Sequence, residues 1–233
     1  MPLVNPTFAG CVLEITEGLR VLREHYGKVA LDEPRTPFAL ILWENCAYLV
    51  DDGTRSRTFA ALHEQAGITP AALLDAGIKR VEKAIAGGGM QPAHRAAKIV
   101  RCAEIATQFA AGDLDATVRD LDGRQRRKLL KRFPGIADPG ADKVSLLCGL
   151  AASPALDSNG LRVLERWGSV AVGKSYAAAY RAGVGLLGVQ KIRGAKAVEA
   201  FALLRVHGRE LCKRNAPLCE PCPLRSRCPY ARS

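Results

Sequence analysis

No apolar run in this chain of 233 residues approaches the roughly 18 needed to cross a bilayer. The N-terminus lacks the charged, apolar and small-residue order of a secretory signal. Alternating apolar and polar residues, the mark of half-buried strands, are absent, as are internal repeats and low-complexity linkers. His25, His63, His94 and His207 show no metal-ligand spacing; the first three read as surface or capping residues and the last as structural. Together these absences point away from a spanning helix, a secreted chain and a sheet-based fold. At 48% hydrophobic residues the chain still has enough apolar side chains to bury a sizeable core.

Acidic residues are also in short supply. Against 23 Asp and Glu stand 34 Lys and Arg, a net charge of +11. Such a surplus favours binding to phosphates through release of condensed counterions. A basic but inert surface is the bland alternative, and clustering speaks against it. Arg124, Arg126, Arg127, Lys128, Lys131 and Arg132 fall within nine residues, and Lys213, Arg214, Arg225 and Arg227 gather near the C-terminus.

What is present is mostly helix. Residues 12–26 place Val12, Ile15, Leu19 and Leu22 on one face, with Gly27 as a C-terminal cap. Pro37 opens an apolar run from Phe38 to Val50 whose only strongly polar members are Glu44 and Asn45. Thr69-Pro70 starts another helix, Gly87-Gly88-Gly89 breaks the next segment, and the pattern resumes from Pro92 to Phe109. The reading is an all-α protein with a central helical domain over 34–150. The first helix returns to pack beside a second domain made of 1–33 and 151–233.

Four of the eight cysteines close the chain as Cys212-x6-Cys219-x2-Cys222-x5-Cys228. Disulfides belong mainly to small secreted domains. Structural zinc usually uses two short Cys pairs separated by a longer insert. A single compact 6-2-5 loop of soft thiolates points instead to a [4Fe–4S] cluster held by these four residues, with zinc and disulfides as the competing readings. Metal-binding thiols place the chain in a reducing cytoplasm. Cys11, Cys46, Cys102 and Cys148 sit in apolar surroundings and read as small buried hydrophobes.

Between about 124 and 147, a basic helix runs into Phe133-Pro134-Gly135-Ile136-Ala137, and a second helix begins near Pro139. A tight turn at a helix N-terminus exposes amide groups that bind a DNA phosphate. The candidate contacts are Gly135, Ile136, Ala137 and Gly140, with Arg127, Lys128 and Lys131 beside them. An ordinary helix–helix turn is the alternative.

With this hairpin, the segment Leu156-Asp157-Ser158-Asn159 and the His207-Gly-Arg-Glu-Leu-Cys212 lead into the cysteine loop, the chain resembles the helix-hairpin-helix DNA glycosylases, the group of endonuclease III and the MutY-type adenine glycosylases. The resemblance spans about Phe38 to Cys228. It implies a six-helix barrel domain and a cluster domain with the active site in the cleft between them. It also implies double-stranded DNA with a damaged or mispaired base as partner, and a monomeric enzyme of base excision repair. Asp157 falls at the family's essential Asp. The lysine of bifunctional glycosylase–lyases lies eighteen residues earlier, where this chain has Pro139. Proline offers no amine for a Schiff base, so the expectation is a monofunctional enzyme that hydrolyses the N-glycosidic bond. Lys143, a helical turn further on, is a poor substitute. Ala137 stands where the family's hairpin has its second Gly.

Two positions resemble the adenine branch: Asn159, which assists the Asp there, and Glu44, seven residues after Pro37. Where those relatives carry duplex-probing glutamines, this chain has Tyr48 and Leu49. It stops five residues after Cys228, so their lesion-reading C-terminal domain is expected to be absent and the mispair preference does not carry over. Breaking a base–sugar bond builds positive charge on the sugar and negative charge on the base, and two carboxylates divide that labour in glycosidases. Asp157 would stabilise the sugar cation and steer the nucleophile. Glu44, in apolar surroundings beside Trp43 and Cys46, would have its pKa raised by desolvation and protonate a departing purine such as adenine. Thymine, uracil or alkylpurine excision is the alternative, as is a catalytically silent DNA-binding iron–sulfur protein. The purely structural readings are a paired buried carboxylate for Glu44 and a helix N-cap for Asp157. Extruding the target base leaves a gap in the stack, for which Tyr48, Leu49, Met90 and Gln91 are candidate wedges, each equally able to be core.

Overall fold

Helix ends in this chain are set by local chemistry, and the helices between them by apolar faces. A computed structural model describes residues 14–171 and 175–232; Cys11 and Val12 lie outside the described residues. Every element of note is helical, and the one β-bridge among the described residues joins Tyr48 to Gly89. No helix among them is long and apolar enough to cross a membrane.

Two compact units divide the chain. The first comprises Asp32–Ala151. It contains α2 (Pro37–Cys46), α3 (Asp52–Ala66), α4 (Pro70–Ala84), α5 (Pro92–Ala110), α6 (Leu114–Asp120), α7 (Gly123–Leu130) and α8 (Asp138–Leu147). Asp51, Thr69 and Asp113 accept hydrogen bonds from the amides of Thr54, Ala72 and Ala116, so three helices start where a short polar side chain replaces a missing helical partner. Asp122 and Gln125 form a reciprocal capping box at α7. Helix α2 is central: every residue but Glu44 is buried, and it packs on α3, α5, α6 and α8. Leu40, Ile41, Leu42, Leu62, Leu73, Ile99 and Leu130 are fully enclosed here, each worth about 1.5–3 kcal/mol of burial. The apolar run that reads as continuous to Val50 stops being helical at Cys46, because Ala47 turns into extended backbone. At Gly77 (φ 65°) helix α4 kinks.

The other unit joins Met1–Leu31 to Ala152–Ser233. Helix α1 (Ile15–Tyr26) buries Ile15, Leu19 and Leu22 and closes on Gly27, whose amide donates to Arg23 O. It lies along α11 (Ala195–Glu210), with Arg23 paired to Glu199 and Tyr26 Oη 3.1 Å from His207 Nδ1. Helix α9 (Ser158–Arg166) also packs on α11, and α10 (Tyr176–Val189) packs on α9. Close approach depends on missing side chains. A Cβ at Gly208 would lie 2.7 Å from Asn159 O, and one at Gly183 would lie 2.8 Å from Leu156 Cδ1. The cysteine loop follows α11.

Candidate active site and nucleic-acid interface

In the Asp32–Ala151 unit, the turn between α7 and α8 is the hairpin that the sequence suggests. Gly135 has a φ of 77°, which favours glycine. The buried Asn45 holds the turn from below: its Nδ2 donates to Pro134 O at 2.9 Å and to Ile41 O at 2.9 Å. Gly135 and Ala137 are exposed and Gly140 is half-buried. Ile136 differs from expectation. Its side chain is buried and its amide donates to Phe133 O, so it stabilises the turn and its amide is not free for a phosphate.

The basic run also divides. Lys128 and Arg124 are exposed. Arg127 and Lys131 reach across to Asp138, and Arg127 also to Asp142, which spends part of their charge inside the hairpin. Both cations hold the Asp138 carboxyl below the usual range, Lys131 most strongly. Arg126 is buried: its guanidinium donates to Val118 O, Leu150 O and Leu121 O at 2.6–2.8 Å. It is a structural residue. Arg132 stacks over the Phe109 ring.

Glu44 does not sit in an apolar pocket. Its side chain is 31% exposed, and Lys143 Nζ donates to its Oε1 at 2.8 Å. The same ammonium lies 3.1 Å from Glu33 Oε1, with the Glu33 side chain 1% exposed. The expectation of desolvation is therefore corrected. The carboxylate has a cationic partner supplied by the very lysine that sequence reading set aside.

Tyr48, Leu49, Met90 and Gln91 are all exposed, on two loops locked together. Tyr48 N donates to Gly88 O at 2.8 Å. Arg95, itself buried, donates to the carbonyls of Cys46, Ile85, Gly89 and Met90. A Cβ at Gly88 would stand 2.5 Å from Cys46 O, and one at Gly89 would collide with Tyr48 O. Only glycine lets the loops meet. Leu49 and Gln91 both adopt left-handed backbone (φ 56°), unusual for non-glycine residues.

In the other unit, Asp157 is the N-cap of α9. Its Oδ1 accepts from Gly160 N at 2.7 Å, and its Oδ2 from Asn159 Nδ2 at 3.0 Å. Arg205 Nε stands 3.7 Å from Oδ2. The carboxylate side chain is 23% exposed, so it is fixed on one side and open on another. Asn159 is oriented in turn by Arg162, which donates to Asn159 Oδ1 at 2.9 Å and also to Gly208 O and Cys212 O. Half-exposed Tyr176 starts α10 near enough for the Asp157 charge to act on its phenol; burial first, then that charge, raises its pKa. Arg205, Arg162 and Tyr176 were not legible as site residues. The i, i+3 spacing of Asn159 and Arg162 on one helix was the one local hint.

Cys212, Cys219, Cys222 and Cys228 are free of disulfide bonds. Among the described residues no group of three or more His, Cys, Asp and Glu side chains is drawn together as a site for a metal ion. The four thiols nevertheless share one neighbourhood. Burial raises the thiols of Cys222 and Cys228, and the charges of the other loop cysteines push the same way. Cationic or polar partners face them: Arg166 Nη1 is 3.3 Å from Cys212 Sγ, and His207 Nε2 is 3.7 Å from Cys222 Sγ. By contrast, Cys46, Cys102 and Cys148 are buried with thiols pushed up to about 12, mainly by desolvation.

No family model matches the chain. An endonuclease III of Sulfolobus acidocaldarius is 27% identical over 209 residues, covering 89% of this chain and 88% of that protein. A solved endonuclease III trapped as a covalent intermediate with DNA superposes with a TM-score of 0.76 at 19% identity, over 94% of this chain and 98% of the other. A thermostable thymine-DNA glycosylase gives 0.72 at 16% identity, over 94% of each chain. These likenesses agree with the all-helical architecture.

Proposed function

We propose, from its fold and its likeness to endonuclease III, that the chain is a helix-hairpin-helix DNA glycosylase that hydrolyses the N-glycosidic bond of an extruded base and leaves an abasic site. One observation carries the reading. Asp157 is held by Gly160, Asn159 and Arg205 while part of its carboxylate stays open to solvent. A fixed anion of this kind stabilises positive charge developing on the sugar without reorganising during the reaction. Asn159 keeps its orientation, and the exposed hairpin with Lys128 grips the phosphate backbone. The monofunctional assignment rests on Pro139 at the first turn of α8, which leaves no amine at that position to attack the sugar. It departs from the trapped covalent complex of the endonuclease III relative.

The purine preference rested on Glu44 donating a proton. The Lys143 ammonium donates to Glu44 instead, so the carboxylate serves as an acceptor. This favours a second reading in which the excised base, thymine or uracil, departs as an anion without an acid beside it. Tyr48, Leu49, Met90 and Gln91, presented on two braced loops, are the residues to fill the vacated stack.

The cysteine loop suits a [4Fe–4S] cluster. Burial, reinforced by the neighbouring thiols, raises the pKa of Cys222 and Cys228, so a cationic centre would favour their thiolates, and Arg166 and His207 face the sulfurs of Cys212 and Cys222. Cys212, Cys219, Cys222 and Cys228 would hold it. When bound, the cluster would supply iron cross-links that fix the loop's fold. Arg162 and Arg166 bind the carbonyls of Cys212 and Lys213, joining that loop to the helix that Asp157 caps.

A panel of duplexes, each with one damaged or mispaired base, tests the proposal. Incubation with the protein followed by alkali should break the strand at one class of base and leave undamaged duplex whole. Intact strands across the whole panel, with cluster-replete protein, would leave a DNA-binding protein without glycosylase activity.

A further inference from the structure

Resting on the reading of Glu44 as an active-site carboxylate, we propose that Lys143 is its positioning residue, coupling the phosphate-gripping hairpin to the direction in which Glu44 points. Lys143 lies on α8, directly beyond the hairpin turn, with its side chain only 10% exposed. Its ammonium stands 2.8 Å from Glu44 Oε1 on α2 and 3.1 Å from Glu33 Oε1 in the segment leading to α2. Placing an ammonium there costs far more desolvation than an apolar side chain would. A 31% exposed carboxylate needs no buried partner for solvation. What the ammonium supplies is direction: one Glu44 oxygen is pinned inward, leaving the other to an incoming donor group.

Asn45 completes the coupling. Consecutive residues of α2 hold consecutive parts of the hairpin, Asn45 through Pro134 O in the turn and Glu44 through Lys143 in the helix after it. Glu33, 1% exposed, keeps the ammonium from swinging away. A hairpin seated on phosphate thus fixes where Glu44 presents its outer oxygen.

A double-mutant cycle tests this. Wild type, Glu44→Gln, Lys143→Met and the Glu44→Gln/Lys143→Met pair are compared for single-turnover base release on the duplex the panel selects. Binding to undamaged duplex and melting temperature are measured alongside, and Asp157→Asn serves as the inactive reference. Lys143→Met should slow release at least tenfold, with binding to undamaged duplex unchanged within twofold. The pair should be no slower than Glu44→Gln alone, and Lys143→Arg should recover part of the rate. Because Lys143→Met takes a cation from buried Glu33, Glu33→Gln/Lys143→Met provides a second variant with balanced charge, expected to be as slow. Losses that multiply in the pair, wild-type release by the Glu33→Gln/Lys143→Met protein, or weakened binding that accounts for the slower release would each overturn the inference. A harmless Glu44→Gln beside an inactive Asp157→Asn would overturn both the role of Glu44 and that of Lys143, while leaving the glycosylase reading intact. Wild-type protein that releases no base from any duplex would overturn the glycosylase reading along with this one.

Discussion

Replacing Arg95 by Met should cost about 3–5 kcal/mol. This buried guanidinium holds four carbonyls, those of Cys46, Ile85, Gly89 and Met90. Methionine keeps most of the stem's packing, so the loss is mainly the hydrogen bonds. A buried acceptor left without its partner costs roughly 1–3 kcal/mol. Gly89 and Met90 lie at loop positions where water can replace part of the guanidinium, which holds the sum near the low end of that range. For a chain of this size about 1 kcal/mol shifts the midpoint by roughly 2–4 °C, so thermal melting should fall by about 10 °C. Amide exchange should rise selectively at 47–50 and 86–92, where the two loops meet. A melting point within about 2 °C of wild type, with unchanged exchange in those loops, would refute the bracing role assigned to Arg95.

Other consequences concern the phosphate grip, the packing behind Asp157 and the cysteine loop. Substituting Arg127, Lys128 and Lys131 together by Ala should flatten the slope of log affinity against log salt on undamaged duplex by up to about 3, at roughly 0.9 per lost phosphate contact. Lys128→Ala should account for the largest single share, because Arg127 and Lys131 are partly neutralised by Asp138 and Asp142; an unaltered slope would make the run ordinary solvated surface. Gly208→Ala places a methyl against the Asn159 backbone and should lower stability by about 1–3 kcal/mol. It should also slow base release more than it weakens duplex binding, and a variant with wild-type release would show that Asn159 has room to move. Protein purified without oxygen should be straw-brown and contain iron with sulfide, and Cys219→Ser should lose both colour and iron; stoichiometric zinc after attempted cluster reconstitution would contradict the cluster assignment.

Much of the fold was readable because its determinants are local. Thr69 and Asp157 cap the helices they precede, Gly27 closes α1, and the apolar spacing of 3.6 residues marks the helical faces. What could not be read depends on partners far apart in the chain. Helix α2 ends at Cys46, although its apolar run continues, because the next residues pair with Gly88 and are braced by Arg95. Arg126 looks like its basic neighbours, yet it faces inward to three carbonyls contributed by other segments. Glu44 finds its cation 99 positions away in Lys143, a pairing that no spacing rule detects. The motif residues Asp157 and Asn159 stand together because two positions on one helix start were enough to specify them.

The central claim is that Asp157 drives hydrolytic base release without a lysine nucleophile. It is tested most directly by treating wild type and Asp157→Asn with borohydride on the duplex selected by the panel, then assaying strand breaks with and without alkali. Wild type should release base, break strands only after alkali and leave no covalent protein–DNA adduct. Asp157→Asn should bind the duplex as tightly and release no base, since the lost charge acts on the transition state. Efficient borohydride trapping that survives blocking of the N-terminal amine, or base release that persists in Asp157→Asn, would contradict the account.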